Sequence, residues 1–446
     1  MEKITLTTGL GKVTGTEENG IRMFRGIPYA VTERFELPKP YPVWDTFDAT
    51  GRETDCFQYR AFHDESVGRY EFFHNEFRYD QNIPDWNFAE SPMTLNIITR
   101  KEADRDPVLV FIHGGSFENG NVGEHPYGTC TEYAERGIVY VSLGYRLNVF
   151  GFYKGGNYGL HDMVFGLRWI KEHIADFGGD PERITIMGQS AGAMAVMDLL
   201  YTHILEDVVK GAVMMSGAGT VPDMVGPYTP EESEFFWAKV RERAGAKTEE
   251  EFRNLPPRTI FDAWYDTALE CATVRTQQPG IDGTIIPKMP SKIMKENSYL
   301  DVPIICGVTS QDYLPYIIYE IALRLAKLHA KRGQSPVWGY MFDKTPPGNK
   351  FKAFHAADLW YMFGNFHQSW RPFGEDDAKL KDEMVHYVAN FVKQGDPNGA
   401  GLLYWPAVSR KNKRFRLFDG KKGGLIGPMR CRLKEWHCYL FDKGPM

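Results

Sequence analysis

Cysteine is scarce in this 446-residue chain: there are 6, namely Cys56, Cys130, Cys271, Cys306, Cys431 and Cys438. Thiols so few and scattered exclude a disulfide framework. Cys431, His437 and Cys438 lie close together, but no Cys-x-x-Cys or His-Glu-x-x-His pattern accompanies them, so they do not read as a zinc site. Long apolar runs are missing too. Nothing approaches the ~18 consecutive apolar residues of a membrane-spanning helix. The opening stretch, MEKITLTTGLGKVTG, lacks the apolar core of a secretory signal and moves straight into strand-like alternation. No Asn-x-Ser/Thr sequon occurs. These absences lead to the expectation of a cytoplasmic protein with no membrane partner.

An excess of positive charge is also absent. Lys and Arg total 52 against 58 Asp and Glu, a net charge of −6, which gives no electrostatic ground for nucleic-acid binding. The basic cluster at 411–416 with Lys421 and Lys422 is short enough to be a solvated surface. Repeats, low-complexity tracts and Gly/Ser linkers are lacking, so residues 1–446 are expected to form one domain. What the chain does have is aromatic residues, 14% of the total, enough for a core and for the walls of an apolar pocket.

Short unbroken apolar runs recur at 108–112, 137–142, 184–187, 211–215 and 302–306. Such runs fit strands buried on both faces of a mainly parallel sheet. Between them, residues 162–177 carry Val164, Leu167, Ile170 and Ile174 at helical spacing, and Gly178-Gly179-Asp180-Pro181 stops that helix. Alternating strands and helices imply an α/β architecture, a mostly parallel central sheet flanked by helices. Its active site should gather beyond the carboxyl ends of the strands. Residues 41–104 and 221–300 are less regular and read as excursions that form the edge and roof of that site.

Gly188-Gln189-Ser190-Ala191-Gly192 is a G-x-S-x-G pattern between a strand-like run and a helix-like run, 191–200. That is the setting of a nucleophile elbow, where flanking glycines permit a turn too tight for side chains and hold the serine oxygen above the sheet. His113-Gly114-Gly115-Ser116-Phe117 follows directly on the 108–112 run. Acyl transfer builds negative charge on a carbonyl oxygen, and a glycine-rich loop lets backbone N–H groups approach it. Gly114, Gly115, Ser116 and Ala191 are the candidate oxyanion-hole residues. A Ser–acid–His order then places the acid and base late in the chain. The residues alone leave the base open between His355 and His367. Asp312, beyond the 302–306 run, is the candidate acid, with Glu320 as the alternative. Aromatics near the motifs that could line the pocket are Phe117, Phe150, Phe152, Tyr313, Trp360, Tyr361 and Trp370.

Taken together, the motifs resemble the type-B carboxylesterases of the α/β-hydrolase fold, the group of the cholinesterases and bacterial para-nitrobenzyl esterases. The resemblance runs from Phe24-Arg25-Gly26-Ile27-Pro28-Tyr29-Ala30 through His113–Phe117, Tyr145-Arg146-Leu147 and Phe177-Gly178-Gly179-Asp180-Pro181 to Ser190. Beyond Ser190 it continues in Ser216-Gly217, Asp282-Gly283, Gly395-Asp396-Pro397-Asn398 and Trp405-Pro406. It implies a serine esterase with Ser190, His355 and Asp312 as triad, no cofactor and no metal, acting on small to medium apolar or aromatic esters. Aryl or hydroxycinnamoyl esters, amides, or a silent binding protein are the alternatives. Phe117, Phe152, Tyr313 and Trp360 become the expected substrate contacts. The resemblance also implies ion pairs Arg34–Glu90 and Arg146–Asp162, and leaves the oligomeric state open, a homo-oligomer included. Departures from the family pattern are Gln189 where Glu is usual, Ser116 for a third glycine, and Glu90-Ser91-Pro92-Met93 in place of a cysteine motif, which leaves Cys56 unpaired. The acid-to-base segment is short, 355 − 312 = 43 residues, so the helical roof should be reduced.

Overall fold

The computed structural model describes residues 1–51, 53–58, 88–217, 229–271, 279–348, 351–421 and 423–427. Cys431, His437 and Cys438 lie outside these, as do Lys422 and, within the two excursions, residues 52, 59–87, 221–228 and 272–278. One large sheet organises the rest. In chain order its principal strands are β1 (Glu2–Thr8), β2 (Gly11–Glu18), β3 (Ile21–Pro28), β4 (Thr94–Arg100), β5 (Asp106–Ile112), β6 (Val139–Leu143) and β7 (Gly179–Gln189). There follow β8 (Val209–Met215), β9 (Ile304–Thr309), β10 (Val337–Phe342), β11 (Phe415–Phe418) and β12 (Gly424–Ile426). In space they run β1-β2-β3-β4-β6-β5-β7-β8-β9-β10-β11-β12. Every pairing from β6 to β11 is parallel, and those at the two flanks are antiparallel.

The central strands are the apolar runs of the sequence. Every residue of β5, β6, β9 and β10 is buried, as parallel strands covered on both faces require. Two expectations need correction. Residues 94–100 belong to no excursion: TLNIITR is β4, joining β3 to β6. Polar Thr94, Asn96 and Thr99 break the apolar run, so the strand does not stand out locally. Asn96 is polar because it is used: its side chain accepts from the Gly26 N–H at 2.9 Å and donates to Glu53 at 2.7 Å. The helix before β7 is also displaced. It spans Tyr158–His173 (α1), and a 3-10 turn, Ile174–Phe177, ends it at Gly178 with φ +84°.

The order of strands decides where a site can form. The chain leaves β5 toward β6 on one side, then returns through α1 to β7 on the other side of β5. The loops beyond β5 and β7 therefore depart in opposite directions from neighbouring strand ends. A crevice opens between them, at the topological switch point of an open α/β sheet.

Both ion pairs implied by the resemblance are present. Arg34 donates to Glu90 from Nε and Nη2, each at 2.6 Å. Arg146 and Asp162 are fully buried, with guanidinium-to-carboxylate bonds of 2.7 and 2.8 Å. The Asp162 carboxylate also accepts the Arg146 N–H, and Arg146 Nη1 reaches the Glu36 carbonyl. Breaking such a satisfied buried pair from one side typically costs about 3–5 kcal/mol. Cys56, Cys130, Cys271 and Cys306 are free thiols. Burial pushes the Cys56 thiol up to about 12, so it is an uncharged, inert packing group. Among the described residues no helix is long and apolar enough to cross a membrane.

Candidate active site

Ser190 stands where β7 ends and helix α2 (Ala191–Leu200) begins, at φ 56° and ψ −124°. A left-handed φ is strained for serine, and surrounding structure must hold it. The Ser190 N–H donates to the Met215 carbonyl at the end of β8, and its carbonyl accepts from Met194 in α2. Close packing explains the two flanking glycines. A Cβ at Gly188 would meet the Gly192 oxygen at 2.3 Å, and one at Gly192 would meet the Ile112 oxygen at 2.1 Å. Neither strand nor helix could approach so closely with side chains there.

Opposite the elbow lies the loop beyond β5. Gly115, Ser116 and Phe117 all have positive φ, 107°, 61° and 60°. Three successive residues with positive φ turn the backbone sharply beyond β5. The N–H groups of Gly115, Ser116 and Ala191 make no hydrogen bond among the described residues. The loop is braced from behind. The Tyr145 hydroxyl donates to the His113 carbonyl at 2.8 Å, its ring stacks on His113, and the Asn148 N–H donates to the Phe117 carbonyl. Gly114 sits against the elbow itself, where a Cβ would lie 2.6 Å from the Gln189 oxygen. Sequence reading found this loop but not its strain at Ser116, because the left-handed turn shows only in the fold.

Asp312 and His355 come from the ends of β9 and β10. An isolated parallel bridge between Gln311 and Phe354, with the Gln311 N–H donating to the Ala353 carbonyl, ties the two loops side by side. The outcome is a relay of three side chains. His355 Nδ1 lies 2.7 Å from Asp312 Oδ1, and His355 Nε2 lies 2.9 Å from Ser190 Oγ. Asp312 is fully buried, and its other acceptor sites are filled: Oδ1 also takes the Tyr313 N–H at 2.8 Å, and Oδ2 takes the Thr309 hydroxyl at 3.0 Å. Burial pushes the Asp312 carboxyl up. The charge and hydrogen bond of His355, with the Ser216 hydroxyl and the Tyr313 N–H, outweigh this and hold it below the usual carboxylate value. An ionised carboxylate there fixes Nδ1 as the protonated nitrogen and leaves Nε2 free to accept the serine proton. The alternatives do not take these places. Glu320 lies within the helix that follows Asp312, and His367 is in a 3-10 turn, Phe366–Gln368.

Sequence reading did not assign two further groups to the site: one reaches His355, and the other is buried nearby in the chain. Gln189 Nε2 lies 3.3 Å from His355 Nε2, so an uncharged amide adjoins the imidazole. Asp358, three residues on, is wholly buried and accepts the Tyr340 hydroxyl at 2.7 Å. Of the four expected substrate contacts, Phe152 and Trp360 have no exposed surface and Phe117 has 1%, while of the other aromatics near the motifs Phe150 and Tyr361 are buried and Trp370 is exposed. Phe117 and Phe152 pack edge to face at 5.1 Å, and Trp360 lies against Phe373. Phe152 ends the helix Asn148–Phe152 and Trp360 lies in the helix Leu359–Phe363, and with Phe117 these rings fill core and present nothing to a ligand in this conformation. Tyr313 is the exception: it is half-buried, and its ring lies 4.4 Å from that of His355. A separate cleft of about 580 Å3, lined by Glu383 and Arg416 among others, shares no residue with this site.

The sequence profile of the Carboxylesterase family matches residues 2–323 and 313–434. The chain belongs to that family. Among curated relatives it is 27% identical to the Bacillus subtilis (strain 168) para-nitrobenzyl esterase over 501 aligned residues, covering 93% of this chain and 95% of the other. It is 26% identical to the human cocaine esterase, covering 92% and 87%. The solved Geobacillus stearothermophilus carboxylesterase EST55 superposes with a TM-score of 0.77 at 26% identity, covering 95% and 97%. This carboxylesterase has the α/β-hydrolase fold. Its two profile matches overlap at 313–323, within the Asp312-to-His355 segment. There the structure has a single helix, α3 (Pro315–Arg332), leading into β10. The short sequence spacing thus corresponds to one crossover helix between acid and base.

Proposed function

We propose that the carboxylesterase works through a Ser190–His355–Asp312 triad and an acyl-enzyme, on small to medium apolar or aromatic esters. The observation that carries this reading is the unbroken relay from Ser190 Oγ through His355 to Asp312, at 2.9 and 2.7 Å. Ser190 attacks the ester carbonyl while His355 Nε2 takes its proton. The N–H groups of Gly115, Ser116 and Ala191 receive the charge that develops on the carbonyl oxygen. The same nitrogen of His355 then protonates the departing alcohol, and water repeats the cycle on the acyl-enzyme. Gln189 favours neutral esters, since it puts no negative charge beside the imidazole to attract a cationic group. The curated relatives supply the bond type: their names describe esterases.

The test is hydrolysis of para-nitrophenyl esters of graded acyl length by wild type and Ser190→Ala. Loss of a triad serine removes on the order of 10³-fold or more of kcat. A Ser190→Ala protein that kept its activity would end the assignment.

A further inference from the structure

Resting on the triad reading above, we propose that Tyr313 determines specificity on the alcohol side of the ester, its ring forming the wall against which a flat aromatic alcohol group lies. Microscopic geometry limits where that group can be. His355 Nε2 must pass from Ser190 Oγ to the leaving oxygen, so both oxygens come within hydrogen-bond reach of one nitrogen. The first atoms of the alcohol portion therefore sit at the Nε2 edge of the imidazole. The acyl oxygen is held elsewhere, at the N–H groups of the Gly115–Phe117 loop.

The Tyr313 ring packs against that imidazole. Its ring centroid is 4.4 Å from the imidazole centroid, with the planes tilted by 47°. The backbone cannot drift, because the Tyr313 N–H is bonded to the same Asp312 oxygen that His355 Nδ1 approaches. Two residues later Pro315 starts α3, which fixes the exit of the chain. Phe117, Phe152 and Trp360, the other expected contacts, are spent in the core, whereas Tyr313 retains exposed surface. Its neighbour Leu314 is 43% exposed, so apolar surface continues outward from the ring. A substrate ring meeting Tyr313 edge-on or offset gains an aromatic contact that a saturated ring of the same size lacks, about two- to tenfold in binding.

The experiment compares four esters in two matched pairs, using the full chain. Benzyl acetate and cyclohexylmethyl acetate differ only in the alcohol. Ethyl phenylacetate and ethyl cyclohexylacetate differ only in the acyl group. The ratio of kcat/KM within each pair is measured for wild type, Tyr313→Leu and Tyr313→Phe. The expected result is a wild-type preference for the benzyl ester that falls about two- to tenfold in Tyr313→Leu and is restored in Tyr313→Phe, while the acyl-pair ratio stays fixed. An unchanged alcohol ratio, or a change confined to the acyl pair, overturns the proposal. An equal loss on all four esters overturns it too, since that would make Tyr313 a support for His355 rather than a substrate contact. Labelling by a fluorophosphonate keeps the two readings apart. Wild type that labels at Ser190 but shows none of these ratios sinks the role of Tyr313 alone, whereas label absent from Ser190 sinks the triad.

Discussion

Asp312→Asn isolates the charge of the triad carboxylate from its geometry. Oδ1 of Asp312 faces two N–H donors, His355 Nδ1 and the Tyr313 backbone, while Oδ2 faces the Thr309 hydroxyl. An amide has one oxygen and one NH2. Its NH2 cannot occupy the Oδ1 place, where it would oppose the Tyr313 N–H. In the Oδ2 place it can donate to Thr309, whose hydroxyl both gives and accepts. The amide oxygen therefore stays toward His355 and keeps Nδ1 protonated. What is lost is the negative charge that stabilises the imidazolium. Two unit charges roughly 4 Å apart at an effective dielectric near 20 attract by about 4 kcal/mol. Part of the charge-assisted hydrogen bond survives in the amide, so a fall in kcat of about 10²–10³ is expected, with KM little changed. Were the amide reversed, the imidazole would take the wrong tautomer and lose about 10⁴, as in a serine-protease triad so altered. Initial rates on para-nitrophenyl acetate at pH 8, with thermal melts to show an intact fold, give the number. A loss under tenfold would refute the role of the Asp312 charge, and one of about 10⁴ or more would refute the clamp by the Tyr313 N–H.

Two other outcomes follow from the same neighbourhood. Burial pushes the Asp358 carboxyl up to about 6 from 3.8, against the lowering effect of the Tyr340 hydroxyl. A raised folded value contributes stability that is complete below about pH 4 and lost as pH rises through about 6, roughly 3 kcal/mol for a two-unit shift. In Asp358→Asn, which can still accept from Tyr340, urea unfolding should lose that decline between about pH 4 and pH 7; an unaltered decline would show that Asp358 is not its source. Gly114→Ala puts a Cβ 2.6 Å from the Gln189 oxygen and 3.1 Å from Ser190 Cβ. It should lower kcat by at least ~10²-fold by displacing the elbow from the oxyanion loop, and near-normal turnover in that variant would show the loop can yield.

The parts legible in the sequence are those whose physics is local. Gly188, Ser190 and Gly192 announce their turn because backbone sterics act within five residues. The His113–Gly115 loop is equally plain, and unbroken apolar runs such as 108–112 mark strands buried on both faces. The same locality hid β4, whose polar Asn96 is explained only by Gly26 and Glu53 across the sheet.

What tertiary structure decided is whatever depends on separate strands meeting. The residues alone leave His355 and His367 equal as base and offer Asp312 as acid with Glu320 behind it; the motif resemblance favours His355 and Asp312. The physical reason for that preference is the bridge between Gln311 and Phe354, which no spacing reveals. Likewise, Phe117, Phe152, Tyr313 and Trp360 are alike as letters near a motif. Only the packing shows three filling core and one lying against the imidazole, because a ring's fate depends on which neighbours the tertiary fold brings against it.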